Sequence, residues 1–89
     1  MELYGEIEKI FPALEQLFSD KELLVFKNTP IYDLCLYHFG FGTQVRNRFL
    51  HQPDGILRGL FTKNGITSTD DMSAIIITLF HYHISKNAR

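Results

Sequence analysis

The sequence predicts an all-α fold, a compact single domain over residues 1–89 with four to five short helices and the C-terminal helix at the centre. Apolar residues recur at helical spacing along most of the chain, and capping residues separate the segments. Its 89 residues, 45% hydrophobic and 21% charged, suffice for one globular domain and not for two. A compact chain of this length has a radius of gyration of about 12 Å.

The first helical pattern covers residues 3–18. Pro12 lies inside it and should kink or split the helix, because proline lacks the N–H of a regular turn. Ser19 can then cap a short helix, with Glu22 at the capping-box position.

The next helix is predicted from Pro30 to about residue 39, with Thr29 as its N-cap. One α-helical face of this segment carries Ile31, Leu34, Cys35 and His38. Gly40 is expected to end the helix in a left-handed conformation. Thr43 is expected to cap a helix over residues 44–50.

A loop over residues 51–55, with Pro-Asp-Gly turn chemistry, precedes a short helix over 56–63 that Asn64-Gly65 closes. The last helix is predicted over 69–85, with Ser68 as N-cap and Asp71 at the third helical position. This helix is apolar on more than one side, so it is either central or a dimer contact. The dimer interpretation rests on Ile77, Tyr82 and Ile84.

Charge and composition exclude several classes of protein. A net charge of -1 and a pI near 6.4 argue against a dedicated nucleic-acid binder. One cysteine cannot form an internal disulfide. The longest apolar run in the last helix, residues 74–80, is broken by Thr78 and is far below the roughly 20 residues that span a bilayer. The acidic N-terminus does not resemble a signal peptide. We therefore expect a cytoplasmic protein without membrane association.

The charge is distributed unevenly along the chain. Residues 1–22 carry a net charge of -4, and residues 23–69 carry +3. Either the acidic first helix packs near the basic middle of the chain, or the middle forms a basic patch for an anionic partner. The density of cations in the middle is close to average, which favours the first interpretation.

No catalytic residue and no metal site are predicted. His81 and His83 lie about 200° apart on a helix and cannot share a metal ion, and His38 and His51 have no companion at ligand spacing. Cys35, between two leucines, is predicted to be an inert core thiol. The chain has no Gly-x-Ser-x-Gly, P-loop or Cys-x-x-Cys motif, so no cofactor is expected.

Arg46 is predicted in the first turn of the 44–50 helix, where a cation loses up to about 1 kcal/mol against the helix dipole. A compensating anion is therefore expected. One interpretation is a structural contact with Asp70 or Asp71 at the start of the last helix, with Asp33 as a third candidate. The alternative is an anion or nucleotide site formed by Gly42, Thr43, Arg46 and Arg48. The internal contact is favoured because a partly buried arginine is rarely left unpaired.

Two stretches carry a resemblance to a known family. His38-Phe39-Gly40-Phe41-Gly42 with Arg46-Asn47, and Gly65-Ile66 with Asp70-Asp71-Met72-Ser73, resemble a family of short bacterial helical domains of unknown function. Its members pair Phe-Gly-x-Gly-x-x-Ile-Arg-Asn with Gly-Ile-x-x-Pro-Asp-Asp-Met-Ser. The match covers roughly residues 36–84 and departs at Val45, for isoleucine, and at Thr69, for proline. The resemblance implies a small α-helical domain, implies no activity, and suggests that the two stretches form one structural unit.

We expect a non-enzymatic protein-interaction module that neutralises or regulates another protein, such as an immunity, inhibitor or adaptor protein. Small size, 13% aromatic residues and the over-apolar last helix favour it. The first alternative is an anion- or nucleotide-binding module at the helix start between Gly42 and Arg48. The second is a small enzyme using Arg46, Asp70 and a histidine. The expected partners are another protein and a second copy through the C-terminal helix.

Overall fold

Two short helices form the N-terminal part of the computed structural model, which describes residues 2–52 and 55–86. Helix α1 spans Glu2–Lys9 and α2 spans Phe11–Glu15. Pro12 lies in the first turn of α2, where its missing N–H leaves no hydrogen bond unmade, and α1 ends before it. The predicted split of the first helix is confirmed.

Helix α3 spans Asp20–Lys27 and begins with the predicted capping box. The Glu22 N–H donates to Ser19 Oγ at 3.1 Å, and the Ser19 N–H donates to Glu22 Oε1 at 2.8 Å. Two donors that a helix start would otherwise leave open are thereby satisfied.

A 3-10 helix over Ile31–Tyr37 follows, where the sequence predicts an α-helix. Pro30 occupies the N-cap position, so the prediction that Thr29 caps this helix is wrong. The Thr29 hydroxyl instead donates to the Val25 carbonyl at 2.8 Å, at the end of α3. A 3-10 helix turns once every three residues, so its side chains are distributed over different faces from those of an α-helix.

Helix α4 spans Phe41–Val45 and runs directly into a π-helical turn over Arg46–Leu50. This segment begins before the predicted residue 44, and Gly40 is its N-cap with a φ of −88°, so the predicted left-handed end at Gly40 is wrong. Thr43 is likewise no N-cap: it lies inside α4, and its hydroxyl donates to the Phe39 carbonyl at 2.6 Å. Arg46 therefore lies in the middle of a continuous helical segment and not in a first turn.

Helix α5 spans Ile56–Lys63, the predicted range. Gly65, with a φ of +86°, closes it. The Ile66 N–H donates to the Phe61 carbonyl at 2.9 Å and the Gly65 N–H to the Thr62 carbonyl at 3.0 Å, the two hydrogen bonds of a Schellman motif. Residues 53 and 54 of the predicted preceding turn lie outside the described residues.

Helix α6 spans Thr69–Lys86 and lies at the centre of the molecule. Its start is capped as predicted, since Ser68 Oγ accepts from the Asp71 N–H at 3.4 Å. It packs against α3, α4, the 3-10 helix and the π turn. The ring of the fully buried Phe80 lies 5.5–6.4 Å from four other rings, those of Phe11, Phe18, Phe26 and Phe41.

The all-α prediction is confirmed, since the described ranges contain helices and no strand. They hold six α-helices, one 3-10 helix and one π turn, a finer division than the predicted four to five helices. The radius of gyration is 12.6 Å. None of these helices combines the length and the apolar character needed to cross a membrane.

The second apolar side of α6 is largely covered within the chain. Ile77 is buried, Ile84 is half-buried, and only Tyr82 of the three residues behind the dimer interpretation is exposed. A dimer through α6 stays a prediction that the oligomeric state in solution tests.

Candidate functional site

Arg46 is held inside the protein by three hydrogen bonds from its guanidinium group. Nη1 donates to Ser73 Oγ at 2.9 Å. Nη2 donates to Thr43 Oγ1 at 2.9 Å and to the His38 carbonyl at 3.3 Å. These partners lie on α6, on α4 and at the end of the 3-10 helix, so one side chain, itself only 14% exposed, joins three elements.

Asp70 lies beside this cluster, with Oδ1 3.6 Å from Arg46 Nε. The Asp70 side chain is 65% exposed, so water screens the ion pair. A bidentate contact between Arg46 and the Asp70 carboxylate is not formed, because the carboxylate lies near Nε alone. Nη1 donates instead to Ser73 Oγ. The Ser73 hydroxyl in turn donates to the Asp70 backbone carbonyl at 3.0 Å. Within the described part of the chain, Arg46 forms neither an ion pair nor a hydrogen bond with Asp71, which is exposed on α6.

Gly42 is packed against the Arg46 cluster. A Cβ atom at this position would lie 3.1 Å from Arg46 Nη1 and 3.3 Å from the Tyr37 carbonyl oxygen. The close approach of these neighbours explains why the residue at this position is a glycine.

The four residues of the predicted anion site are not brought together. Gly42, Thr43 and Arg46 adjoin one another, but Arg48 lines a separate cavity with Glu6 and Lys9. Nη1 and Nη2 of Arg46, which would donate to a bound anion, already donate to Ser73, Thr43 and the His38 carbonyl. This geometry serves packing better than ligand binding.

The histidines and the cysteine are dispersed. Among the described residues, no group of three or more His, Cys, Asp and Glu side chains could hold a metal ion. His81 is buried, its ring lies 5.3 Å from that of Phe26, and its Nε2 has no hydrogen-bond partner among the described residues. His83 packs on Phe11, with the centroids of the two rings 4.7 Å apart.

Cys35 is exposed, so the prediction of a core thiol is wrong. The α-helical spacing places Cys35 with Ile31 and Leu34, but the 3-10 spacing groups Ile31 with Leu34 and Tyr37. Leu34 of that second group is buried, and Cys35 turns away from the core.

The segment around the 3-10 helix carries four of the five most exposed large apolar side chains among the described residues. Four large apolar side chains, 69–85% exposed, lie within nine residues of the chain, and we call them the Phe39 surface: Ile31, Tyr32, Leu36 and Phe39. This surface was not predicted from the sequence, which was used to assign only the face with Ile31, Leu34, Cys35 and His38; the exposure of the other apolar side chains depends on the packing of the whole domain.

Two cavities flank the Phe39 surface. One, of about 440 Å³, lies between α3 and α4 and is lined by residues that include Val25, Tyr37 and Gly40. The other, of about 330 Å³, lies between the 3-10 helix and α6. Both volumes fall in the range of about 300–1,000 Å³ that ligand sites occupy.

Comparison with known proteins identifies a family and no activity. The model of one protein family, described as a domain of unknown function (DUF6794), matches residues 5–84. No curated protein matches the chain, and no solved structure does.

Proposed function

The chain belongs to this family of domains of unknown function, and from that premise we propose that it is a non-enzymatic protein-interaction module. The Phe39 surface is the part that meets the partner. The partner is a protein whose activity this domain neutralises or regulates, as an immunity, inhibitor or adaptor protein does.

The exposure of the Phe39 surface is the observation that carries this proposal. Apolar side chains this exposed usually occur singly on a protein surface, whereas contiguous apolar patches mark interaction sites. Tyrosine and phenylalanine are also enriched at the centres of protein interfaces. The neighbouring cavity toward α3, lined by Val25, Tyr37 and Gly40, also contains Lys21 and Glu22. A partner that enters it would meet charged as well as apolar side chains beside the Phe39 surface.

The anion-binding alternative receives less support. Arg46 is engaged by Ser73, Thr43 and the His38 carbonyl, and Arg48 faces another region. An enzyme built on Arg46, Asp70 and a histidine receives less support still, because the cluster presents the backbone carbonyl of His38 to Arg46 and not its imidazole.

We further propose that the module acts in the cytoplasm of a bacterium. A single cysteine fits a reducing compartment, where structural disulfides are rare. The bacterial assignment is supported by the two sequence motifs that resemble a bacterial family.

Affinity capture with matched variants tests the proposal. The immobilised protein is exposed to a lysate of the organism that encodes it, beside Leu36→Ser/Phe39→Ser and the control Ile56→Ser. Ile56 is 72% exposed, like the two tested residues, but lies on α5. We expect one captured protein to be lost with the double variant and retained with the control, all three proteins having the same melting temperature. Equal capture by all three proteins, or capture by none, would contradict the proposal.

A further inference from the structure

We propose that the groove between the 3-10 helix and α6 binds an amphipathic helix of the partner, with a lysine or arginine of that helix reaching Asp71. This inference rests on the proposed function and identifies the kind of segment that the module recognises. We call the site the Ala74 groove, because Ala74 lies in both of the cavities that form it.

The Ala74 groove is elongated along α6. The cavity of about 330 Å³ between α6 and the 3-10 helix has Ala74 and Thr78 on its α6 side. A second cavity of about 410 Å³ contains Ala74 and Asp71 and extends to Gly65. Asp71 and Thr78 are two helical turns apart, so the groove runs for about 10 Å at 1.5 Å per residue. This length matches two turns of a bound helix.

The α6 side of the groove allows close approach of another helix. Ala74 and Thr78 are both exposed and short. The Thr78 hydroxyl already donates to the Ala74 carbonyl at 2.8 Å, so a bound apolar side chain leaves no hydroxyl donor unpaired. The opposite wall carries the exposed Ile31 and Tyr32, which are also part of the Phe39 surface.

A helix fits this groove better than an extended segment does. A bound strand needs a sheet edge with free N–H and C=O groups. The 3-10 helix and α6 form both sides of one half of the Ala74 groove, and residues 65–67 of the loop before α6 face α6 in the other half. The described ranges contain no strand whose edge a bound strand could extend. A helix satisfies its own backbone and offers apolar residues at i, i+3, i+4 and i+7.

Charge complementarity decides between a foreign helix and a second copy of the chain. Asp71 is the only one of the groove-lining residues described in the structure that carries a carboxylate, and none of them is a lysine or an arginine. A two-fold contact would place one such groove against another and supply no cation to either. A foreign helix with a basic residue beside its apolar stripe complements the groove in both shape and charge.

Model peptides of about 14 residues, four helical turns long, test this inference directly. One has a leucine stripe flanked by lysines, the second replaces the lysines by glutamates, and the third scrambles the stripe. Binding is measured by fluorescence anisotropy to the unmodified protein and to the variants Ala74→Arg and Asp71→Asn. The controls are Ala13→Arg, an exposed alanine on α2, and Asp20→Asn, which also occupies the first turn of a helix.

We expect the basic amphipathic peptide to bind at least about tenfold more tightly than the other two, a difference of about 1.4 kcal/mol. Ala74→Arg should weaken it at least about tenfold and Asp71→Asn about threefold or more, and the controls should leave it unchanged. Equal binding of all three peptides, no binding of any, or an unchanged affinity of Ala74→Arg overturns the inference. So does a dimer of the unmodified protein that Ala74→Arg dissociates in sedimentation velocity.

The two proposals fail separately. If Leu36→Ser/Phe39→Ser abolishes capture of the natural partner while Ala74→Arg leaves it intact, the Ala74 groove is overturned and the interaction module stands. If neither variant alters capture, the proposal that the domain binds a partner protein through the Phe39 surface is itself contradicted.

Discussion

Replacement of Arg46 by alanine should be among the most destabilising substitutions outside the apolar core. It removes hydrogen bonds to Ser73 Oγ, Thr43 Oγ1 and the His38 carbonyl, at 2.9, 2.9 and 3.3 Å. A hydrogen bond to a charged group contributes about 1.5–3 kcal/mol. Because all three belong to one side chain, their contributions overlap, and we expect a total loss of about 3–4 kcal/mol.

The ion pair with Asp70 should contribute little to this loss. Its atoms are 3.6 Å apart and the Asp70 side chain is 65% exposed, so at most about 1 kcal/mol is expected. Asp70→Asn therefore costs much less than Arg46→Ala. Asp71→Asn is the matched control, since it removes the same charge from the first turn of α6 without touching Arg46.

Urea denaturation followed by circular dichroism measures these free energies. In a domain of this size each kcal/mol lowers the melting temperature by about 4–8 °C, so Arg46→Ala should lower it by roughly 12–30 °C. Arg48→Ala, in the same π turn but exposed, should change stability by less than about 0.5 kcal/mol.

Double-mutant cycles identify which partner matters. We expect a coupling energy of about 1–3 kcal/mol between Arg46 and Ser73, from Ser73→Ala, and a smaller one between Arg46 and Asp70. A larger coupling to Asp70 than to Ser73, or an Arg46→Ala protein within about 1 kcal/mol of the unmodified one, would refute the reasoning.

Three further substitutions test local packing by denaturation. Gly42→Ala should destabilise by about 1–3 kcal/mol, because its Cβ would lie 3.1 Å from Arg46 Nη1 and 3.3 Å from the Tyr37 carbonyl. Gly59→Ala, inside α5 with no heavy atom within 4 Å of the added carbon, should instead stabilise by about 0.5–1 kcal/mol. If both change stability in the same direction, the packing argument is wrong. His81→Leu should stabilise by about 1 kcal/mol by removing the buried, unpartnered Nε2, and a clear loss of stability would contradict this.

Three helix boundaries were predictable from local interactions alone. The capping box of Ser19 and Glu22 and the Ser68 cap of α6 each join residues three apart. Pro12 divides the first helix through its own missing N–H. The sequence contains all the groups involved, so no tertiary information was needed.

The start of α4 was not predictable in this way. Closely spaced glycines such as Gly40 and Gly42 are typical of a helix end, and a helix end was predicted at Gly40. Gly42 is instead required by the approach of the Arg46 side chain and the Tyr37 carbonyl, whose positions depend on how the 3-10 helix, α4 and α6 pack together. A glycine that makes room for a neighbour cannot be distinguished from a terminating glycine until that neighbour is placed.

The Arg46 contacts show a similar limit. A contact between Arg46 and the start of the last helix was predicted because Arg46 was expected to oppose the dipole of its own helix. Arg46 does not oppose that dipole, since α4 begins at Phe41. Carboxylates were also expected as partners in place of Ser73, whose hydroxyl oxygen lies 2.9 Å from Arg46 Nη1, compared with 3.6 Å between Asp70 Oδ1 and Arg46 Nε. Their formal charge made Asp70 and Asp71 the expected partners of Arg46. In the structure its shorter contact is with the neutral Ser73 hydroxyl, which is buried, whereas the Asp70 side chain is exposed.

The 31–39 segment leaves four large apolar side chains in solvent, those of Ile31, Tyr32, Leu36 and Phe39. An α-helix would place Ile31, Leu34 and Cys35 on one stripe, whereas three-residue turns align Leu34 with Ile31 and place Cys35 on a different face. Packing within the domain buries Leu34 alone of these three and leaves Leu36 and Phe39 in solvent. Long 3-10 helices are uncommon, and this one spans seven residues, so neither local geometry nor burial explains the apolar composition of its outer face. Solubility alone would favour polar residues at these positions. The partner proposed above would cover the Phe39 surface and so account for its apolar composition, because binding would supply the burial that the domain itself does not.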